Sequence, residues 1–157
     1  MTPISVDYLD GSQIQTSYAR VTIQGVTGGG FLGFGANSPS VSQSYSIGPV
    51  QANSSAEGAG FIFGGTCATS ECFYDATITN NVDVDGGAYS MTTAEMKNVK
   101  IYTRVPGETG IGTAWDFTDN PFEDVANSEI WEIDASGTIN DGYPHLAYEN
   151  IALSVAP

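Results

Sequence analysis

One short phrase of residues recurs along this chain, and the recurrence restricts the possible folds more than any other feature of the sequence. The first copy contains Tyr18 and Phe31, the second contains Tyr45 and Phe61, and a third begins at Phe73. The spacing is 27 residues from Tyr18 to Tyr45, 28 from Tyr45 to Phe73 and 30 from Phe31 to Phe61. A period in this range is typical of solenoid arrays, in which each repeat covers the apolar face of its neighbour. The repeat therefore predicts a stacked β structure.

Each full copy of the repeat contains an alternating segment, a glycine-rich turn and a compact apolar run. The alternation after Tyr18 and Tyr45 predicts short strands with one buried face. The runs at 31–34 and 61–63 are bounded by glycines, which favours strands buried on both faces. We expect Tyr18, Tyr45 and Phe73 to stack on one another in successive repeats and to form the core.

The length of 157 residues suits one domain, and we predict a single domain over 1–157. Within it we expect lead-in strands at 1–16 with a turn at Asp10-Gly11, repeats at 17–75, and a closing part at 76–157. Charged residues make up only 14% of the chain and glycine is abundant, which favours an all-β fold with many turns.

The closing part carries the one helix signal of the chain. Thr92 followed by Glu95 three residues later is the pattern of a capping box, and it predicts one or two helical turns. Around this helix we expect a loop before it and an irregular capping segment after it, because terminal units of repeat arrays cover an open end.

The charge of the chain argues against two classes of partner. The formal net charge is -14, with four Lys and Arg residues in total. A nucleic-acid binder needs an extended basic surface, and anionic membranes disfavour an acidic protein. No run approaches the roughly 20 apolar residues of a membrane span, and the first residues do not have the pattern of a signal peptide. We therefore predict no nucleic-acid partner, no membrane partner and no export signal.

Six phrases in the second half occur in an order that, together with the repeats, resembles the GLUG-motif family. They are Phe73-Tyr74-Asp75, Gly86-Gly87, Met91 to Lys97, Trp115-Asp116-Phe117, Ile130-Trp131-Glu132-Ile133 and Tyr143-Pro144-His145-Leu146. The resemblance covers residues 17–146. The chain departs from the family pattern in having barely two full repeats, an altered glycine-rich core and no export signal.

The resemblance to the GLUG-motif family implies a β-solenoid of large bacterial surface and secreted proteins, adhesins among them. It also implies that the repeats are architectural and carry no catalytic residues. The residues to which we assign a structural role in the repeats and the closing part are Tyr18, Phe31, Tyr45, Phe61, Phe73, Trp115, Trp131 and Tyr143.

Candidate chemical groups are few. His145 is the single histidine, and we favour a surface or half-buried packing role over catalysis. Cys67 and Cys72 have the wrong spacing for a C-x-x-C pair; both buried reduced thiols and a disulfide across the tight loop stay open. The segment with Asn81, Asp83 and Asp85 copies the start of a calcium loop, but a hairpin turn is favoured because position 12 is not a glutamate. We predict no catalytic residues, cofactor or metal.

These observations predict a short right-handed parallel β-helix of two to three coils with an irregular C-terminal cap. The function they favour is non-enzymatic: a bacteriophage virion surface component such as a capsid decoration (cement) or tail protein. A repeat module of a bacterial cell-surface adhesin is the alternative, and a carbohydrate-binding module is a third. Because open strand edges invite pairing, we expect protein partners: copies of itself, as a trimer for example, or a larger capsid or cell-surface assembly.

Overall fold

The computed structural model describes residues 6–25, 27–52, 58–79, 87–103, 111–118 and 130–149. Within these ranges the chain is mostly β, with one short α-helix and two 3₁₀ helices. The all-β class is therefore confirmed. By its contacts the chain divides into two compact units. We call Thr2–Thr93 the first unit and Ala94–Pro157, to which Met1 is also assigned, the second unit. The single domain over 1–157 stays a prediction.

The regular elements are short and most of them lie in the first unit. The strands of the first unit are β1 (Val6–Asp10), β2 (Gln13–Ala19), β3 (Ile23–Gly25), β4 (Gly28–Gly29), β5 (Leu32–Ala36), β6 (Ser40–Ser46), β7 (Val50–Ala52), β8 (Gly58–Ala59), β9 (Ile62–Gly65), β10 (Ala68–Ser70), β11 (Phe73–Asp75) and β12 (Tyr89–Met91). They are followed by α1 (Thr93–Met96), the 3₁₀ helices Val99–Ile101 and Asn140–Gly142, β13 (Trp131–Glu132) and β14 (His145–Leu146). The predicted short helix is present as α1.

The described strands of the first unit pair in parallel with their equivalents in the next copy of the repeat. β1, β5 and β9 form one sheet, and β2 pairs with β6, which in turn pairs with β10 and β11. β3 pairs with β7, and β4 with β8. Tyr18 lies opposite Tyr45, and Tyr45 opposite Phe73, as the sequence period requires. The period of the sequence is thus the register of the sheets.

The first strand belongs to this pairing scheme rather than standing before it. Val6 lies opposite Leu32 and Tyr8 opposite Phe34, so β1 occupies the place that β5 and β9 occupy in the later copies. The sequence put residues 1–16 outside the repeats because β1 has neither the tyrosine phrase nor the glycine-bounded apolar run. The predicted turn at Asp10-Gly11 is present, with Gly11 at φ +53.

The core of the first unit lies among the strands that carry the apolar runs. Phe31 and Phe61 are 1% and 0% exposed, and their rings stack with centroids 4.8 Å apart. Leu32 lies opposite Ile62, and both are buried in the same cluster with Val41. Equivalent apolar side chains stack on one another in successive copies, so each repeat buries the same apolar surface against its neighbour.

The expectation that the run 31–34 is buried on both faces is wrong for its last residue. Leu32 is fully buried, whereas the side chain of Phe34 is 47% exposed. Gly33 lies so close to the first strand that a Cβ there would come 2.5 Å from the carbonyl oxygen of Asp7. Regular alternation is broken at this glycine, and Phe34 faces the solvent.

A left-handed corner recurs at the same register in three successive copies. Thr16, Gln43 and Glu71 have φ values of +55, +45 and +52. The side chain that follows each corner donates a hydrogen bond to the backbone carbonyl two residues before it. These bonds are Ser17 Oγ to Gln15 O at 3.1 Å, Ser44 Oγ to Ser42 O at 2.7 Å and Cys72 Sγ to Ser70 O at 3.4 Å. The repeated Ser, Ser and Cys therefore close a strand corner.

Thr16 is the residue least suited to this corner, because a β-branched side chain at positive φ is strained whereas asparagine tolerates the left-handed region. We expect Thr16→Asn to raise the free energy of unfolding by about 1 kcal/mol, measured by urea denaturation. Thr22→Asn is the matched control, since Thr22 is exposed and has no positive φ, and it should change stability by less than about 0.5 kcal/mol. Equal effects of the two substitutions would contradict strain at the corner.

Candidate functional site

The closing phrases of the sequence form an aromatic cluster in the second unit. Trp115 and Trp131 are buried with ring centroids 4.8 Å apart, and Tyr102 lies 4.7 Å from Trp115. Tyr102 also donates a hydrogen bond from Oη to the carbonyl of Met96 at 2.7 Å. The ring of Tyr143 is buried beneath Lys97, whose Nζ lies 4.8 Å from its centroid. The cluster is a packed core of its own unit.

His145 lies inside this unit, contrary to the surface or half-buried position expected for it. It sits on β14 opposite Glu132 of the antiparallel partner β13, and its side chain is 0% exposed. Nε2 is 3.6 Å from Glu132 Oε2, and neither ring nitrogen has a hydrogen-bond partner among the described residues. The carboxylate of Glu132 thus lies beside the buried imidazole ring.

Asp134 organises the loop between β13 and the second 3₁₀ helix. Its Oδ1 accepts hydrogen bonds from the backbone N–H and the hydroxyl of Ser136, at 2.9 and 2.6 Å. Its Oδ2 accepts the backbone N–H groups of Thr138 and Ile139, both at 2.8 Å. Because these donors favour the ionised carboxylate, they lower the pKa of Asp134 to about 2.

The lowered pKa of Asp134 gives a pH-dependent stabilisation of the loop with a defined sign. A carboxyl group whose pKa is lower in the folded state stabilises that state above its unfolded pKa of 3.8, and the contribution is lost as the pH falls towards 2. We expect the amide NMR signals of Ser136 and Thr138 to titrate with a midpoint near pH 2. Asp134→Asn should abolish this transition and Asp141→Asn should leave it in place; a midpoint near pH 4 in the wild type would contradict the prediction.

The two cysteines of the first unit are free thiols in the structure. Cys72 is buried and donates to the carbonyl of Val41 at 3.3 Å, and burial raises the pKa of its thiol to about 12. Cys67 is half-buried, and burial raises its pKa as well. A thiol reacts through its thiolate, so a raised pKa and burial both protect Cys72.

We expect Ellman's reagent to modify one thiol per native chain, slowly, and a second only after unfolding. Cys67→Ser should remove the native reaction and Cys72→Ser should leave it unchanged. Native modification of Cys72, or no free thiol in the denatured chain under non-reducing conditions, would contradict this assignment.

The structure does not test every candidate that the sequence named. Asn81, Asp83 and Asp85 lie outside the described residues. Among the residues that are described, no group of three or more His, Cys, Asp or Glu side chains is placed to hold a metal ion. In the same ranges, none of the helices has the length and apolar character needed to cross a membrane.

We call the first two strands of the first unit, β1 and β2, the β1–β2 edge. Among the described residues, Tyr8 of β1 is the most exposed large apolar side chain. Tyr8 is 57% exposed and stacks on Phe34, with ring centroids 6.1 Å apart and planes 7° from parallel. Val6, Leu9 and Ile14 pack against the core cluster but are only partly buried. The described residues thus present aromatic and core side chains together at one edge.

The same edge carries negative charge. Asp7 and Asp10, the two acidic residues of β1, are both exposed on either side of Tyr8. Asp10 is held by Asn37, whose Nδ2 donates to Asp10 Oδ1 at 2.6 Å. A surface that combines exposed rings with exposed carboxylates is suited to protein contact more than to catalysis, because interfaces bury aromatic side chains.

Sequence reasoning did not find the roles of three residues: Tyr8 and Phe34 of the exposed ring pair, and Tyr102 of the buried aromatic cluster. For Tyr8 a signal was present, since Tyr8 precedes Phe34 by 26 residues, close to the repeat period. Phe34 was assigned to a buried run because it follows the apolar residues Phe31 and Leu32, but its side chain is 47% exposed. Tyr102 belongs to none of the recurring phrases, and its role follows only from the contacts of its ring.

Comparison with known proteins finds no matching family model, no similar curated protein and no similar solved structure. The resemblance to the GLUG-motif family therefore stays a prediction based on the phrases quoted above.

Proposed function

We propose that the first unit is a short right-handed parallel β-helix of two to three coils. The support is that its described strand pairs are parallel and that equivalent residues recur 26 to 30 positions apart in four sheets. Stacked like residues, such as Tyr18 on Tyr45 at 5.3 Å, also recur at that period. The GLUG-motif resemblance of this unit, and a capping role for residues 76–157, are parts of the same proposal.

On this fold we propose a non-enzymatic structural protein that is attached to the surface of a virus particle, as a decoration or tail component of a bacteriophage. The observation that carries the proposal is the β1–β2 edge, where Tyr8 is 57% exposed and core side chains are only half-buried. A short stack with such an edge offers contact area and shape, which a decoration protein needs. The charge of -14 keeps the protein soluble and favours attachment to a basic surface.

The test starts from a culture that expresses the gene. Virus particles and cell envelopes are isolated from it as separate fractions, and the amount of the protein in each fraction is measured by mass spectrometry. We expect the chain in the particles, at a constant ratio to the major capsid protein. Recovery only in cell envelopes would overturn the virion proposal and favour the adhesin alternative. Light scattering of the purified chain tests the predicted homo-oligomer, since a trimer has three times the 16.4 kDa mass of one chain.

A carbohydrate-binding module is the third candidate, after the adhesin module, and the exposed stacked pair of Tyr8 and Phe34 is the observation that favours it. Flat apolar rings offer a surface on which a sugar ring can pack. A glycan array with the wild type and Tyr8→Ala checks this candidate. Binding of a defined glycan that Tyr8→Ala abolishes would support it, and an array without binding would rule it out.

A further inference from the structure

The inward-facing side chains of the β1–β2 edge are less buried than their equivalents in the next copy of the repeat. Val6 and Ile14 are half-buried, whereas Leu32 and Val41, the residues opposite them, are 0% and 1% exposed. The difference in burial arises because β5 and β6, the strands of the second copy, each have a neighbouring strand on both sides. The described part of the chain therefore leaves one end of the apolar core accessible.

As far as the described ranges of the chain go, the backbone of this edge is also paired on one side only. Among the described residues, β1 pairs with β5 alone and β2 with β6 alone, while β5 and β6 each have strands on both sides. A strand with one free side is a template for a further strand, and extended peptides are commonly bound in this way. An added strand would continue the ladder and cover the half-buried core residues.

Charge determines which strand can be added. A second copy that pairs through its own β1 brings its aspartates to the same edge as Asp7 and Asp10, and any second copy adds a net charge of -14. Like charges opposite one another destabilise a strand pair, whereas opposite charges stabilise it. The complement of this edge is an extended segment with lysine or arginine side chains at the register of the two aspartates.

We propose that the β1–β2 edge binds an extended basic segment of a partner protein by strand addition. Its basic side chains pair with Asp7 and Asp10, and one cation or ring covers the free face of Tyr8. Tyr8 is the first ring of its stack: one face lies against Phe34, and more than half of the side chain is exposed. This inference rests on the proposed function and names the chemistry of the partner to which the protein attaches.

The binding experiment uses the full chain and two short capped peptides that copy β1 with both aspartates replaced, in one by lysine and in the other by glutamate. The basic peptide is Val-Lys-Tyr-Leu-Lys and the acidic peptide is Val-Glu-Tyr-Leu-Glu, followed by NMR chemical-shift titration at low salt. We expect the basic peptide to shift the signals of Tyr8 and Phe34 at millimolar concentration or below, and the acidic peptide to leave them unchanged. Raising the ionic strength to 0.5 M should weaken the binding, because surface ion pairs are screened.

Two variants and a matched control assign the binding to the edge. The double variant Asp7→Asn, Asp10→Asn should weaken the basic peptide about tenfold, and Tyr8→Ala about fivefold. The double variant Glu95→Gln, Asp141→Asn removes two exposed carboxylates elsewhere and should bind as the wild type does. Equal binding of the two peptides, no shift with the basic peptide, or an equal loss in the control variant would overturn the proposal. Self-association that Tyr8→Ala abolishes would also overturn it, since a second copy would then be the occupant.

The outcome is separable from that of the proposed function. If the chain is found in virus particles and the Asp7→Asn, Asp10→Asn variant still attaches to them, the virion function stands and the basic-segment proposal is overturned. If the chain is absent from particles but the peptide titration gives the expected result, the edge proposal stands and the virion function is overturned.

Discussion

Replacing Gly48 with alanine should strongly destabilise the first unit, because there is no room for a methyl group at this position. A Cβ built on Gly48 overlaps the carbonyl oxygen of Val21 and lies 2.6 Å from its carbonyl carbon. Both contacts are with backbone, which cannot swing aside as a flexible side chain can. Overpacking costs about 1–3 kcal/mol and occasionally more, and we expect about 3 kcal/mol against a total stability of about 5–15 kcal/mol.

Urea denaturation of the Gly48→Ala variant measures this loss, and Gly64→Ala is the matched control. The nearest atom to a Cβ on Gly64 is Cδ2 of Phe34, at 3.4 Å, which is an ordinary van der Waals distance. We expect Gly64→Ala to change the free energy of unfolding by less than about 1 kcal/mol, in either direction. Similar unfolding midpoints for the two variants would show that the close approach of Gly48 to Val21 does not constrain the fold.

The second large effect is expected at the stacked pair of Phe31 and Phe61. Phe61 is fully buried, and its ring lies 4.8 Å from that of Phe31. Phe61→Ala removes this ring from the centre of the core and should cost about 3–5 kcal/mol of unfolding free energy. Phe34→Ala is the control: the same residue type is 47% exposed there, and we expect a loss of less than about 1 kcal/mol.

A double-mutant cycle separates the stacking of the pair from the burial of each ring. The cycle uses Phe31→Ala, Phe61→Ala and the double variant. If the two rings stabilise each other, the sum of the two single losses of unfolding free energy should exceed the loss in the double variant by about 0.5–1.5 kcal/mol. Strict additivity, or a Phe61→Ala loss no larger than that of Phe34→Ala, would contradict the view that this stack joins successive repeats.

The register of the sheets was predictable because it follows from repetition. Tyr18 and Tyr45 are 27 residues apart in the sequence and lie opposite each other on neighbouring strands. The same argument aligns Phe31 with Phe61. When equivalent segments stack in parallel, residues that are one repeat period apart in the sequence lie opposite each other on neighbouring strands. The register can therefore be read from the repeat period without a structure.

The exposed edge was not predictable in the same way. The sequence assigned Phe34 to a buried strand and placed β1 before the repeats, yet together Phe34 and Tyr8 form the exposed ring pair. Their exposure follows from the strand order, in which Tyr8 lies opposite Phe34 and no further described strand lies beside β1. The strand order at this edge has no residue pattern of its own.

The sequence alone determined the β class, the period of the repeat, the position of the short helix and the pairing of Tyr18 with Tyr45 and Tyr45 with Phe73. These follow from local pattern and repetition, which act through residues near in sequence or at a fixed spacing. Only the tertiary structure decided which rings are buried, that His145 lies inside its unit, and that β1 is an edge strand with Tyr8 exposed. Burial and strand order depend on contacts between residues far apart in the chain, and composition and period do not specify those contacts.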